Sequence, residues 1–351
     1  MKRSYADTST SPACRTATGR ALTVKHAWRK SETTAIRSLG QPAKSLPQFR
    51  ADESVRDGLV RISGELIQKA VARIDHGGKN RAEDLHQVRL TMKRLRASLR
   101  LVRPVISKAL FRRENRRLKR IASSLSSFRD ATVSRQTIGR LARSASDKRD
   151  RKALALALNA SPKYGPVRGR LRERREAAMR ALARDLLEAG VNFENMLIPA
   201  EEWDAIGPGF QDTYRRARNQ MLVAIRRGTA EAFHDWRKQV KYLYYQSQLL
   251  QPASPRRVRA MVKELNNLEE SLGKDHDLAL SRTRLAELSE RSCGRRTVKR
   301  AIYCLERQRN KLRRESEELG QKFFWENPGK FAAKLARHWA AWRCPEKRGG
   351  S

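Results

Sequence analysis

The sequence lacks any apolar run approaching ~18 residues, so no membrane-spanning helix is expected. Its N-terminal stretch is basic but contains no apolar core segment, so no secretory signal is expected either. Cysteines are few: Cys14, Cys293, Cys304 and Cys344. None forms a C-x-x-C pair, which argues against a zinc site and a disulfide framework and for a reducing, cytoplasmic setting. Aromatic residues make up only 6% of the chain, and no stacking platform or DNA-reading motif stands out. There is no Walker loop, nucleophile elbow or metal-ligand cluster. No catalytic residue, metal or cofactor is therefore expected, and the chain reads as a non-enzyme. Sustained β alternation between hairpin turns is missing as well.

Acidic residues are also scarce. Thirty-seven Asp and Glu face 77 Lys and Arg, a formal net charge of +40 over 351 residues. Such a charge repels itself in a compact state, and a chain that keeps it is expected to meet a polyanion. Nucleic acid, an anionic membrane surface and inorganic polyphosphate all qualify. Hydrophobic residues at 39% suffice for one or two cores.

What the chain does have is helical periodicity. Residues 1–48 are rich in Ser, Thr, Ala and Arg and read as a disordered basic tail. Beyond them, apolar residues recur at three- and four-residue spacing. Helices are expected over 52–75, 80–103, 107–127, 130–145, 147–159 and 167–189, then over 209–227, 229–251, 255–272, 277–291, 295–320 and 328–342. Breaks are expected at Gly77-Gly78, Pro104, Gly165-Pro166, Gly190, Gly207-Pro208-Gly209, Pro252, Pro255, Gly273, Gly294 and Pro328. The organisation expected is a first bundle over 49–190, a connection over 191–207, a second bundle over 208–342 and a short tail over 343–351.

The halves resemble each other. Leu85-His86-Gln87-Val88-Arg89 with Lys93 answers Phe233-His234-Asp235-Trp236-Arg237 with Lys241. Ser124–Asp130 answers Ser271–Asp277 at nearly the same separation. Two motifs at a near-constant offset argue for an internal duplication. The fold class is then all-α: two tandem four-helix-type bundles, each with its own core.

On a helical wheel, His86, Arg89, Lys93, Arg96 and Arg100 share an arc beside the apolar arc of Leu85, Val88, Met92, Leu95 and Leu99. Residues 86–103 hold six Lys or Arg and no Asp or Glu. Like charges three or four apart destabilise a helix by about 0.2–0.5 kcal/mol per pair, so an unrelieved stripe points to an external anion. His234, Arg237 and Lys241 repeat the arrangement, with Tyr244 where Arg96 stands. Beside a dense anion an imidazole donates a hydrogen bond and favours its protonated form. Lys119, its repeat equivalent Lys263, and Arg215 and Arg218 are further candidate contacts. Asp130 and Asp277 read as N-caps or partners for an Arg. Asp275-His276-Asp277 are adjacent rather than one turn apart, which argues against a metal site.

These residues resemble the CHAD (conserved histidine α-helical domain) proteins. The likeness rests on His-x-x-Arg-x-x-x-Lys from His86 and from His234, and on the turns Leu125–Asp130 and Leu272–Asp277. Tyr214–Arg218 and Phe323-Phe324-Trp325-Glu326-Asn327-Pro328 with Phe331 complete it, over roughly residues 48–342. The resemblance implies two bundles related by a pseudo-twofold, with a basic groove or pore between them. It further implies binding of inorganic polyphosphate and residence at polyphosphate granules. The positions carried over are His86, Arg89, Lys93, Arg96, His234, Arg237 and Lys241. The sequence departs from the family at Tyr242 and Tyr244, usually basic, and at Ser126, usually Gly. Many relatives carry a triphosphate-tunnel domain, but its Glu-x-Glu-x-Lys strand is lacking, so triphosphatase activity is not expected. A nucleic-acid-binding helical protein is the alternative reading.

Overall fold

In a computed structural model of the chain, described residues are 46–75, 81–124, 130–161, 170–287 and 294–344; of 81–82, 130–133 and 170–175 only the backbone is described. The expected tail up to residue 45, Gly77-Gly78, the Leu125–Arg129 turn, Gly165-Pro166, Cys14, Cys293 and the tail from residue 345 lie outside them. Eleven α-helices and no strand occur among the described residues. They are α1 Val55–Asp75, α2 Arg81–Leu101, α3 Lys108–Ser124, α4 Asp130–Ser144, α5 Lys148–Ala160 and α6 Arg170–Glu194. Then come α7 Glu202–Arg227, α8 Ala230–Leu249, α9 Pro255–Ala286, α10 Arg295–Phe323 and α11 Pro328–Arg343.

Local chemistry sets several boundaries. Gly228 ends α7 in the left-handed conformation (φ 64°), and its N–H reaches the Ala224 carbonyl. Thr229 then caps α8, its hydroxyl accepting from the Ala232 N–H at 3.2 Å. That two-residue turn fixes where His234 emerges, just over one turn into α8. Asp147 caps α5 and Asn327 caps α11 in the same way.

Three expected breaks are helical instead. Gly190 lies within α6, Gly207-Pro208-Gly209 within α7, and Gly273 within α9. The glycines of α7 serve close approach. A Cβ on Gly209 would stand 1.9 Å from the Leu101 carbonyl oxygen, so α7 reaches the end of α2 only without one. Pro208 is exposed on the outer face of the same helix. Asp277 lies inside α9, so it is no N-cap; the buried carboxylate of this segment is Asp275, ion-paired with Arg309 (3.1 Å) and Arg313 (3.3 Å) of α10. Asp130 opens α4.

Helices α1, α2, α3 and α6 pack in a closed ring, and α7, α8, α9 and α10 pack in another. The rings meet where α2 packs on α8 and α7. The core does not divide at the expected sequence boundary. One continuous cluster joins Ile62, Met92, Leu95 and Leu99 to Phe210, Tyr214, Trp236 and Trp339. Each buried aliphatic of this cluster contributes about 1.5–3 kcal/mol. A second cluster, Ile138, Leu154, Leu278, Leu305 and Leu312, lies among α4, α5, α9 and α10, again drawing on both halves. No helix among the described residues is long and apolar enough to cross a membrane.

Candidate functional site

The two histidine-bearing helices, α2 and α8, pack directly on each other. Their apolar arcs fill the core: Val88, Met92, Leu95 and Leu99 on α2, and Trp236, Val240 and Leu243 on α8, are all fully buried. The basic arc lies beside each: that of α8 contacts α9 through Glu269 and His276, and that of α2 reaches Asn115 of α3 and Tyr242 of α8. At the crossing, Gln246 Nε2 donates to the Ala97 carbonyl (3.0 Å), and Ala97 packs with Tyr242, Tyr244 and Tyr245.

On one side of the crossing a cationic cluster gathers around His234. Its ring stacks on that of His276 from α9, with centroids 4.4 Å apart and planes at 27°. Arg237 and Lys241 both reach Glu269 of α9, at 3.1 and 2.6 Å, and all three side chains are 14–19% exposed. Lys93 of α2 acts electrostatically on both histidines, so the first half's stripe meets the second half's here. Burial, with Lys238 and Arg237, lowers the His234 pKa. Burial, with Arg237, His234, Lys241 and Lys93, pushes His276 down to about 3. Both rings are neutral at neutral pH in the free protein. His234 Nδ1 is buried with no hydrogen-bond partner among the described residues. His86 and Arg89 are half-buried, two turns and one turn before Lys93 on α2.

Further along α2 the arginines are differently engaged. Arg96 Nε and Arg100 Nη1 both donate to Asn115 Oδ1 of α3, each at 3.1 Å. The Arg100 guanidinium lies 3.9 Å from the centre of the Tyr242 ring, and Arg96 lies 5.6 Å from it. Burial lowers Arg100 to about 10, and Arg96, Arg103 and Arg216 add to the effect. Tyr242, which departs from the resembled family, is thus a buried platform for the first half's arginines.

The remaining candidates stand apart. Arg215 is exposed and pairs with Asp212 (2.5 Å), a carboxylate shared with Arg216 and Arg103. Arg218 Nε donates to the Phe324 carbonyl (2.9 Å) at the end of α10, a structural contact. Lys119 on α3 and Lys263 on α9 are exposed, and no ion pair among the described residues joins either to the cluster. Sequence reasoning did not find Glu269, and it weighed His276 only as a metal ligand. The available signal for His276 was the likeness of Ser124–Asp130 to Ser271–Asp277, in which it stands opposite Arg129. Among the described residues no group of three or more His, Cys, Asp or Glu is placed to hold a metal ion.

Comparisons with known proteins give a family. A family model for the CHAD domain matches residues 63–286. The crystal structure of the CHAD domain from the plant Ricinus communis aligns at 19% identity, covering 84% of this chain and 96% of that one, with a TM-score of 0.47. No curated protein matches the chain.

Proposed function

The chain belongs to the CHAD domain family, and from that premise we propose that it binds inorganic polyphosphate without cleaving it. The observation that carries this reading is the junction of α2 and α8. Lys93 from one half acts there on His234 from the other, beside Arg237 and Lys241, which share the carboxylate of Glu269. A linear polyanion supplies the negative charge this junction lacks. Arg forks suit bidentate contacts to phosphate oxygens, and Lys serves as a point charge.

In this reading His86, Arg89, Lys93, His234, Arg237 and Lys241 form the centre of a basic groove, and Arg96 and Arg100 extend it along α2. Lys119, Arg215 and Lys263 are outer contacts, while Arg218 holds the fold. The halves are repeats about a pseudo-twofold near the helix crossing. Two observations support this. Helix starts recur in parallel, Arg81 with Ala230, Lys108 with Pro255, and Lys148 with Arg295. Ala97 also packs against its own repeat equivalent, Tyr245. Residence in the cytoplasm, at polyphosphate granules, goes with this function.

Competition at fixed salt tests the ligand class. Long-chain polyphosphate is expected to displace duplex DNA from the protein at equal phosphate concentration, with no phosphate released from the chain. Displacement in the reverse direction would favour the nucleic-acid reading, and steady phosphate release would make the protein an enzyme.

A further inference from the structure

The stacked imidazoles have an unusual setting. The charged groups around them are Asp235, Arg237, Lys238 and Lys241 on α8 and Lys93 on α2, with Glu269 of α9 holding Arg237 and Lys241. Asp235 is engaged by Lys238 (2.5 Å). Of the acidic residues flanking His276 on α9, Asp275 is turned into its ion pairs with Arg309 and Arg313, and Asp277 follows it on the same helix. The pair therefore sits in a positive field, with one ring nitrogen, His234 Nδ1, buried and lacking a hydrogen-bond partner among the described residues.

Resting on the polyphosphate-binding reading above, we propose that His276 is a ligand of the phosphate chain and that the His234–His276 pair takes up a proton from solvent when the chain binds. In the free protein, burial and the surrounding cations keep both rings neutral, His276 most strongly. A phosphate chain brings one negative charge per internal unit into the same space and reverses the field. An imidazolium then donates to phosphate oxygen where a neutral ring with a bare nitrogen would face it as an acceptor. The repeat supports the assignment: the place of His276 is held in the first half by Arg129, a permanently charged residue. One half thus carries a fixed cation at this position, and the other a cation that forms on demand. Linkage makes affinity rise as pH falls, by up to ~tenfold per pH unit for one proton taken up.

The experiment is calorimetry of the full-length chain with long-chain polyphosphate, in which only the end groups titrate near neutral pH. Titrations at pH 6.5 in buffers of different ionisation enthalpy give the number of protons taken up. Wild type is expected to take up on the order of 0.5–1 proton per binding event. His276→Arg, with its charge already present, is expected to lose most of that uptake and to flatten the dependence of affinity on pH. His234→Asn is expected to reduce uptake as well. Binding without proton uptake by the wild type overturns the proposal by itself and needs no variant. So does uptake unchanged in both His276→Arg and His234→Asn. Absence of binding at every pH instead overturns the polyphosphate reading, and the proposal falls with it.

Discussion

Glu269 decides how much of the cationic field reaches a ligand, because Arg237 and Lys241 are both partly neutralised by it. Glu269→Gln removes that competitor. Polyphosphate affinity is expected to rise by about three- to tenfold at low salt, roughly 1 kcal/mol of regained interaction. These pairs are largely buried, so leaving Arg237 and Lys241 without their carboxylate should also lower thermal stability, by about 1–3 kcal/mol. Weaker binding by this variant, measured by calorimetry, would show that Glu269 positions the cations rather than competing for them. The histidines make a second residue-scale prediction. Both imidazoles ionise near 6.5 in the unfolded chain, and both are lowered in the folded one, His276 to about 3. The unfolded chain therefore binds more protons between those limits. Their contribution to stability is complete above about pH 6.5 and is lost as pH falls towards 3. Denaturant midpoints should drop over that window more steeply in wild type than in His276→Asn. Equal slopes would mean that His276 titrates normally in the folded protein.

At the scale of elements, the pairing of α2 with α8 depends on α7 approaching the end of α2 at Gly209. A Cβ there meets a backbone carbonyl at 1.9 Å, and a backbone atom has little room to give. Gly209→Ala should therefore destabilise the protein by about 1–3 kcal/mol despite alanine's better helix propensity, as read by thermal melting. A neutral or stabilising result would mean that the two helices sit further apart. The same glycine shows what the sequence made legible. Apolar periodicity located nearly every helix, because burial of one face is written locally. Continuity through Gly207-Pro208-Gly209 and through Gly273 was not legible, since those glycines answer to neighbours distant in sequence or folded back on them: Trp203 and the α2 carbonyls in one case, the Arg237 guanidinium in the other. The site was legible in the same uneven way. Lys93, His234, Arg237 and Lys241, which the structure brings into one cationic cluster, were singled out by repeated spacing. Glu269 and His276 did not, because they reach the cluster from α9. Tyr242 read as a missing cation, and only its packing shows it as a surface for Arg100.

For the whole molecule, a charge of +40 must be carried by cores that outweigh its self-repulsion. Those cores draw helices from both halves, so the two rings of helices are tied together through shared buried side chains. That tie matters for function, since it holds Lys93 beside His234 without a ligand to bring them together. Charge alone would attract any polyanion, and the claim specific to this fold is that the α2–α8 junction is where the phosphate chain lies. The most direct measurement is the salt dependence of polyphosphate binding, compared between wild type and the Lys93→Gln, Lys241→Gln double variant. Removing one cation that neutralises a phosphate should make the slope of log K against log salt shallower by roughly 0.7–0.9, by analogy with nucleic acids. The double variant is therefore predicted to bind more weakly, with a slope shallower by about 1.4–1.8. A variant with wild-type affinity and an unchanged slope would place the chain elsewhere on the basic surface and contradict the account.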